Sequence, residues 1–391
     1  MPYRILTLNP ISPKGLGRLP AERYQVGADV RDPDAILVRS ADMHAMQVPA
    51  QVRAIGRAGA GTNNIPVEQM SRRGIAVFNA PGANANAVKE LVLAGLLLAA
   101  RNIAPAWLFA RSLRGDDAAI EAAVEKGKKK FVGFELPGRT LGVAGLGAVG
   151  VEVANAALTL GMKVLGYDPQ LTVQRAWQLS ASVEQASSLE DLFTRADAIT
   201  VHVPLNARTQ KLVNAARLAL ARPGLTLLNF ARAGVVDDAA VLAELDAGRL
   251  RAYVCDFPSR VLKDHPRVVA LPHLGASTGE AEDNCADMVA DQLRDFLENG
   301  NIKNSVNYPE AVLPRAPNTT RLVVANLNVP NMVGQISTCL AERHINIADL
   351  LNKSRGEFAY TLIDVDADGA VGEELLERIR AIDGVLSARI V

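Results

Sequence analysis

The chain is poor in the residues that mark several classes of protein. Cysteine occurs three times in 391 residues, at Cys255, Cys285 and Cys339. Thiols so few and so widely spaced make neither a disulfide framework nor a metal-ligand pattern, and they suit a reducing cytoplasm. Neither sign of charge prevails: basic and acidic side chains number 42 each, so formal net charge is zero. That removes the electrostatic argument for a nucleic-acid partner. The local basic run at 126–130 reads as a solvated loop. Long hydrophobic runs are also missing. The most apolar segment, 91–100, is bracketed by Lys89-Glu90 and Arg101 and is too short to cross a bilayer, so no membrane partner is expected. The first residues, Met-Pro-Tyr-Arg-Ile-Leu-Thr-Leu, read as the start of a strand and not as a signal peptide. What the chain has in quantity is apolar residues, 49% of the total, enough for two or three domains with sizeable cores.

Short apolar runs at 5–8, 35–38, 52–55 and 75–78 alternate with polar, helix-compatible stretches. This pattern predicts parallel strands joined by crossover helices. One long helix is expected over 84–113. A second alternating unit follows, with strands at 141–144, 164–167, 199–203, 226–229, 253–256 and 268–271. A helix over 277–299 is expected to return the chain to the first unit and so split it in sequence, leaving a cleft between two α/β lobes. The composition then changes at Asn299-Gly-Asn-Ile-Lys-Asn, and Pro309, Pro314 and Pro317 follow, as in a linker. The remainder reads as a separate small unit: strand 322–328, helix 333–342, strands 347–352 and 359–365, helix 373–382, strand 386–391. That order, βαββαβ, is a ferredoxin-like plait.

Chemistry concentrates in the second unit. Gly145, Gly147 and Gly150 have the G-x-G-x-x-G spacing, preceded by an apolar run and followed by a helix-compatible segment. The first glycine permits a tight turn, the second lets a pyrophosphate reach the backbone, and the third lets helix pack on strand. The helix N-terminus favours the anion. Asp168 ends the next apolar run, where a carboxylate accepts from a ribose and repels a 2′-phosphate, so NAD is expected over NADP. A nicotinamide enzyme also needs a proton carrier, and the chain has five histidines. Two of them, His202 and His273, stand at the carboxyl ends of predicted strands, where open α/β sheets bind ligands. His273, in Leu-Pro-His-Leu-Gly-Ala-Ser-Thr, is the candidate acid/base, and His202 a wall residue beside the cofactor. Arg232 follows another strand end and is the candidate for holding a carboxylate through its planar fork.

Together these residues resemble the D-isomer-specific 2-hydroxyacid dehydrogenase family over residues 1 to about 305. The motifs are the Gly145–Gly150 fingerprint with Asp168, Val201-His-Val-Pro-Leu, Asn229-x-x-Arg232-x-Gly-x-x-Asp237, Pro-His273-Leu-Gly-Ala-Ser-Thr, and Asn79-Ala-Pro-Gly-Ala-Asn84 followed by Val88-Lys-Glu-Leu. The C-terminal unit resembles an ACT domain, with Asn331-Met-Val-Gly334 and Ile345-Asn-Ile347 at its turn and ligand-facing positions. The resemblance implies an α/β fold of two doubly wound parallel-sheet lobes, flavodoxin-like for the substrate and Rossmann for NAD, plus a ferredoxin-like βαββαβ ACT domain. It implies a substrate-binding domain at 1–90 and 276–305, an NAD-binding domain at 91–275, a linker at 306–318 and a regulatory domain at 319–391. Arg232 and His273 match the catalytic positions. Gly145, Gly147, Ala148, Val149, Gly150, Asp168, His202, Phe230, Ala231, Asp256, Gly275 and Ala276 match cofactor-contacting ones. Arg39, Ser40 and Asn84 match substrate-side positions, with Arg39 a candidate for phosphate.

The pairing of such a dehydrogenase with an ACT domain points to 3-phosphoglycerate as substrate, with L-serine as a possible ligand at Asn331 and Asn346. A homodimer or homotetramer is expected, in the cytoplasm, with no metal. The readings left open are another 2-hydroxy acid, such as glyoxylate or hydroxypyruvate, and an NAD-sensing binding protein. Two departures stand out. The family's glutamate partner of the histidine is missing from Cys255-Asp-Phe-Pro-Ser-Arg-Val-Leu-Lys-Asp264, which leaves Asp264 as a substitute or His273 unassisted. Asn326 replaces a histidine usual in the ACT domain, so response to serine is expected to be weak or absent.

Overall fold

A computed structural model describes residues 2–366 and 371–391. The chain divides into two compact units, one formed by 1–84 with 279–391, the other by 85–278.

In the first unit, β1 (Tyr3–Thr7), β2 (Tyr24–Gly27), β3 (Ala35–Val38), β4 (Ala54–Arg57) and β5 (Ala76–Phe78) form a parallel sheet in the order β2-β1-β3-β4-β5. That is the flavodoxin-like order. Every residue of β3 and β5 is buried, as expected of strands covered on both faces. The helix Gly279–Asn299 lies on this sheet. Gly56 permits the approach: a Cβ there would meet Val289 Cγ2 at 2.6 Å and Leu293 Cδ1 at 2.9 Å. The Asn- and Pro-rich segment after that helix is pinned to the same lobe. Val306 N–H donates to Val77 at 2.9 Å, the buried Asn307 bridges Val77 and Ile75, and the Tyr308 hydroxyl donates to the Ser71 carbonyl at 2.8 Å.

The second unit holds β6 (Thr140–Ala144), β7 (Lys163–Tyr167), β8 (Val183–Gln185), β9 (Ala198–Val201), β10 (Leu225–Asn229), β11 (Leu250–Cys255) and β12 (Val268–Ala270). All are parallel, in the order β12-β11-β10-β9-β6-β7-β8. The order reverses beside β6, which makes its carboxyl end the topological switch point of a Rossmann sheet.

The single helix expected over 84–113 is two, Ala85–Ala100 and Ile103–Ser112, bent by 64°. The Ala100 carbonyl accepts from the Phe134 amide at 2.9 Å, and Asn102 takes a left-handed conformation at φ 50°. Pro105, in the first turn of the second helix, has no N–H to extend the ladder backwards. Among the described residues no single helix is long and apolar enough to cross a membrane. The basic run expected as a loop ends the helix Asp117–Gly127 and continues as one 3-10 turn, Lys128–Phe131, with its lysines exposed.

The C-terminal residues form an antiparallel sheet of β13 (Thr319–Leu327), β14 (Ile347–Arg355), β15 (Phe358–Asp366) and β16 (Val385–Ile390), ordered β14-β15-β13-β16. With the helices Met332–Ala341 and Glu373–Arg380 this is a ferredoxin-like plait. Strand alternation divides its side chains between two cores. Leu322, Val324, Ile363 and Val365 pack with the plait's own helices. Val323, Ala325, Tyr360 and Leu362 join Phe78, Phe296, Leu297 and Tyr308 in the core of the first lobe.

Candidate active site

The site begins where β6 stops. Gly145 turns the chain at φ 93°, and a Cβ on it would lie 2.6 Å from the His202 carbonyl oxygen. Gly150, in the first turn of the helix Ala148–Thr159, packs so closely that a Cβ would stand 1.9 Å from the Gly145 carbonyl oxygen. Gly147 differs from both. It is the helix N-cap, in extended backbone, and a Cβ there meets nothing within 4 Å. The open space in front of Gly147, with the first amides of a long helix, is the surface a pyrophosphate needs. Ala148 and Val149 open that helix.

Asp168 follows β7 and sits beside this turn. One of its carboxylate oxygens accepts from the Leu146 amide and the other from the Gln170 amide, each at 2.8 Å. Each oxygen keeps a further lone pair for a ribose hydroxyl. Past β9, the His202 amide donates to Ala144 at 2.8 Å and its Nε2 lies 2.9 Å from Thr200 Oγ1. Burial pushes its imidazole down to about 4. A ring shifted this far takes up a proton only under acid conditions.

Past β10, the buried Asn229 clamps the loop that carries Arg232. Its Oδ1 accepts from the Ala231 amide at 3.1 Å and its Nδ2 donates to the Arg232 carbonyl at 3.0 Å. Phe230 and Ala231 are buried beneath, and the Arg232 guanidinium donates to the Ala231 carbonyl at 2.6 Å. Asp237, the acid that closes this motif, caps the helix Asp238–Asp246 and pairs with Lys211 at 3.0 Å. Lys211 holds its carboxyl below the usual range.

Past β11, the buried Asp256 suspends the histidine loop. Its carbonyl accepts from the His273 amide at 3.1 Å, and its carboxylate takes the Leu274 amide at 2.7 Å and the Gly275 amide at 2.8 Å. His273 itself is exposed and left-handed, at φ 55°. Ala276 continues the same loop. Asp264 pairs with Lys263 at 2.5 Å and is 81% exposed. Among the described residues no carboxylate is paired with the His273 ring.

The carboxyl edge of one sheet thus carries the glycine turn, Asp168, His202, Arg232, Asp256 and His273. In the first lobe, Asn9 Oδ1 accepts from the amides of Arg39, Ser40 and Ala41, and Arg39 is ion-paired with Glu282. Asn84 immediately precedes the helix Ala85–Ala100. In the plait, Asn331 is exposed at φ 64° ahead of the helix Met332–Ala341, and Asn346 donates to Asp366 at 2.9 Å. Asn326 is buried and donates to the Leu327 carbonyl at 2.7 Å. The sequence marked Asn229 only as part of a family motif, with no role assigned, and gave Phe257 none either. The signal for Asn229 was a polar residue closing an otherwise apolar strand.

Residues 96–275 match the family model described as D-isomer specific 2-hydroxyacid dehydrogenase, NAD binding domain. A relative from Haemophilus influenzae is 32% identical over 352 residues, which cover 86% of this chain and 81% of that protein. The chain belongs to the D-isomer-specific 2-hydroxyacid dehydrogenase family, and its Rossmann unit is the family's NAD-binding domain. The Haemophilus relative is a D-3-phosphoglycerate dehydrogenase. So is one from Methanocaldococcus jannaschii, 37% identical over 289 residues, or 72% of this chain; the match spans only about half (53%) of that relative's length. Of solved structures, an NAD+-bound 3-phosphoglycerate dehydrogenase of Entamoeba histolytica matches with a TM-score of 0.61 at 25% identity, covering 78% of this chain and 99% of that one. A D-mandelate dehydrogenase of Rhodotorula graminis matches with a TM-score of 0.68 at 23% identity, covering 81% and 100%, which speaks to the fold alone.

Proposed function

We propose that this protein oxidises D-3-phosphoglycerate to 3-phosphohydroxypyruvate with NAD, the first step of L-serine synthesis. The observation that carries the reading is the shared sheet edge: a dinucleotide turn, an arginine and a histidine, in a chain whose named relatives at 32–37% identity act on this substrate. Bound NAD supplies the hydride acceptor. Gly145, Gly147 and Gly150, with Ala148 and Val149, receive its pyrophosphate, and Asp168 its ribose. His202, Phe230, Ala231, Gly275 and Ala276 wall the site, while Asp256 contributes by holding the loop.

Arg232 binds the substrate carboxylate through parallel hydrogen bonds. His273 takes the C2 hydroxyl proton in oxidation and returns it in reduction. Arg39, Ser40 and Asn84 serve the substrate side, with Arg39 exchanging Glu282 for the phosphate. The domain division we propose is 1–90 with 276–305 for substrate, 91–275 for NAD, 306–318 as connection and 319–391 as an ACT unit with Asn331 and Asn346 as serine contacts. A homodimer or homotetramer in the cytoplasm completes the reading; a reducing compartment suits the three free cysteines.

Steady-state kinetics test it. With NAD+ and 3-phosphoglycerate the protein turns over. Arg232→Ala raises KM and lowers kcat together, while His273→Gln lowers kcat by about 100-fold or more. Near-normal turnover by His273→Gln removes the acid/base role. Turnover confined to glyoxylate or hydroxypyruvate redirects the substrate.

A further inference from the structure

The family's glutamate is absent behind His273, yet the ring is not left alone. It lies against Phe257, with centroids 5.1 Å apart and planes inclined by 57°. Tilted pairs at this separation are a preferred aromatic geometry. Phe257 directly follows Asp256, the residue whose carbonyl and carboxylate hold the amides of His273, Leu274 and Gly275. One dipeptide therefore meets both the backbone and the ring of His273. The backbone half matters because φ 55° is sparsely populated by residues other than glycine and persists where neighbouring bonds over-determine it. Phe257 is anchored in turn: its carbonyl accepts from the Cys255 thiol at 3.6 Å.

We propose that Phe257 is a positioning residue for His273, restraining the imidazole by packing where the family uses a carboxylate. The inference rests on the acid/base reading of His273. A ring differs from a carboxylate in what it does. It supplies no fixed negative charge, but its face accepts both the neutral imidazole and, through cation–π attraction, the imidazolium. It can therefore hold the same orientation before and after proton transfer. Misplacement of a reacting group by about an ångström costs up to 100-fold in rate, so a lost restraint registers in turnover.

The experiment compares Phe257→Leu, Phe257→Tyr and His273→Gln in the full chain, with NAD+ and 3-phosphoglycerate. Phe257→Leu is expected to lower kcat about tenfold with both KM values held within about twofold. Phe257→Tyr keeps the ring and is expected to restore kcat to within about twofold. By NMR, the His273 imidazole C–H resonance loses its ring-current shift in the leucine variant and keeps it in the tyrosine one. Phe257→Met serves in place of leucine if that variant fails to fold. An unchanged kcat in Phe257→Leu beside an inactive His273→Gln overturns the positioning role and leaves the acid/base role standing. Full activity in both variants overturns the acid/base role and this inference with it. A parallel loss of kcat and NAD affinity marks Phe257 as merely structural and also overturns the inference.

Discussion

Replacing Arg321 by methionine should unfasten the C-terminal sheet from the first lobe. Its guanidinium is fully buried, as is its partner Asp364, and the two are joined by parallel bonds of 2.6 and 2.7 Å. The same guanidinium donates to the carbonyls of Asn299, Leu313 and Pro314 at 3.0, 2.8 and 3.1 Å. Asn299 ends the helix on the first lobe, so one side chain ties the plait to that helix and to the segment beyond it. Breaking a buried ion pair from one side costs about 3–5 kcal/mol, because the remaining charge stays buried and unpaired. Three carbonyls lose a donor as well, each worth about 1 kcal/mol. Against a typical stability of about 5–15 kcal/mol this is a large fraction. We expect Arg321→Met to lose at least about 3 kcal/mol in urea denaturation, and Arg321→Met/Asp364→Leu to lose less than the sum of the single variants by about 2 kcal/mol. A single-variant loss below about 1 kcal/mol, or strict additivity, would refute the reasoning.

Four further substitutions concern the nucleotide-binding unit. Gly147→Ala should leave the melting temperature unchanged, because a Cβ there meets nothing, yet weaken NAD at least about tenfold in titration calorimetry by filling the pyrophosphate's approach. Gly150→Ala, with its Cβ 1.9 Å from a carbonyl oxygen, should destabilise the fold itself; equal behaviour of the two variants contradicts the assignment. Asp168→Asn should lower the preference for NAD over NADP about tenfold in paired Kd measurements, and an unchanged ratio removes Asp168 from cofactor choice. The His202 imidazole sits at about 4 when folded, against 6.5 when unfolded. The unfolded chain therefore binds more protons between these values, and stability falls as pH drops from about 6.5 towards 4, by about 2 kcal/mol at pH 5. His202→Asn should flatten that portion of the pH–stability curve; an identical slope contradicts it.

Much of the fold was legible because parallel strands buried on both faces read as apolar runs. β3, with its four buried residues, coincides with the run at 35–38. Two of the edge strands escaped: β2 buries only Tyr24 and β8 buries none of its residues, so neither shows a run. The break after Ala100 had a local signal in Pro105, but the Phe134 amide that takes the Ala100 carbonyl comes from far along the chain, and local periodicity carries no trace of it. In the plait, the apolar run Leu322-Val-Val-Ala325 of β13 signalled a strand but not that its two faces belong to different cores. At the site, the strand-end placement of His202, Arg232 and His273 was open to pattern reading. The holding roles of Asn229, Asp256 and Phe257 were not, because they depend on which loops meet in space.

The most direct measurement follows the hydride. 3-Phosphoglycerate carrying deuterium at C2 is incubated with the protein and NAD+, and the reduced nucleotide is isolated. The account predicts one deuterium at C4 of the nicotinamide, one 3-phosphohydroxypyruvate formed per label transferred, and loss of both in His273→Gln. Nucleotide recovered unreduced, or reduced without label, would contradict it.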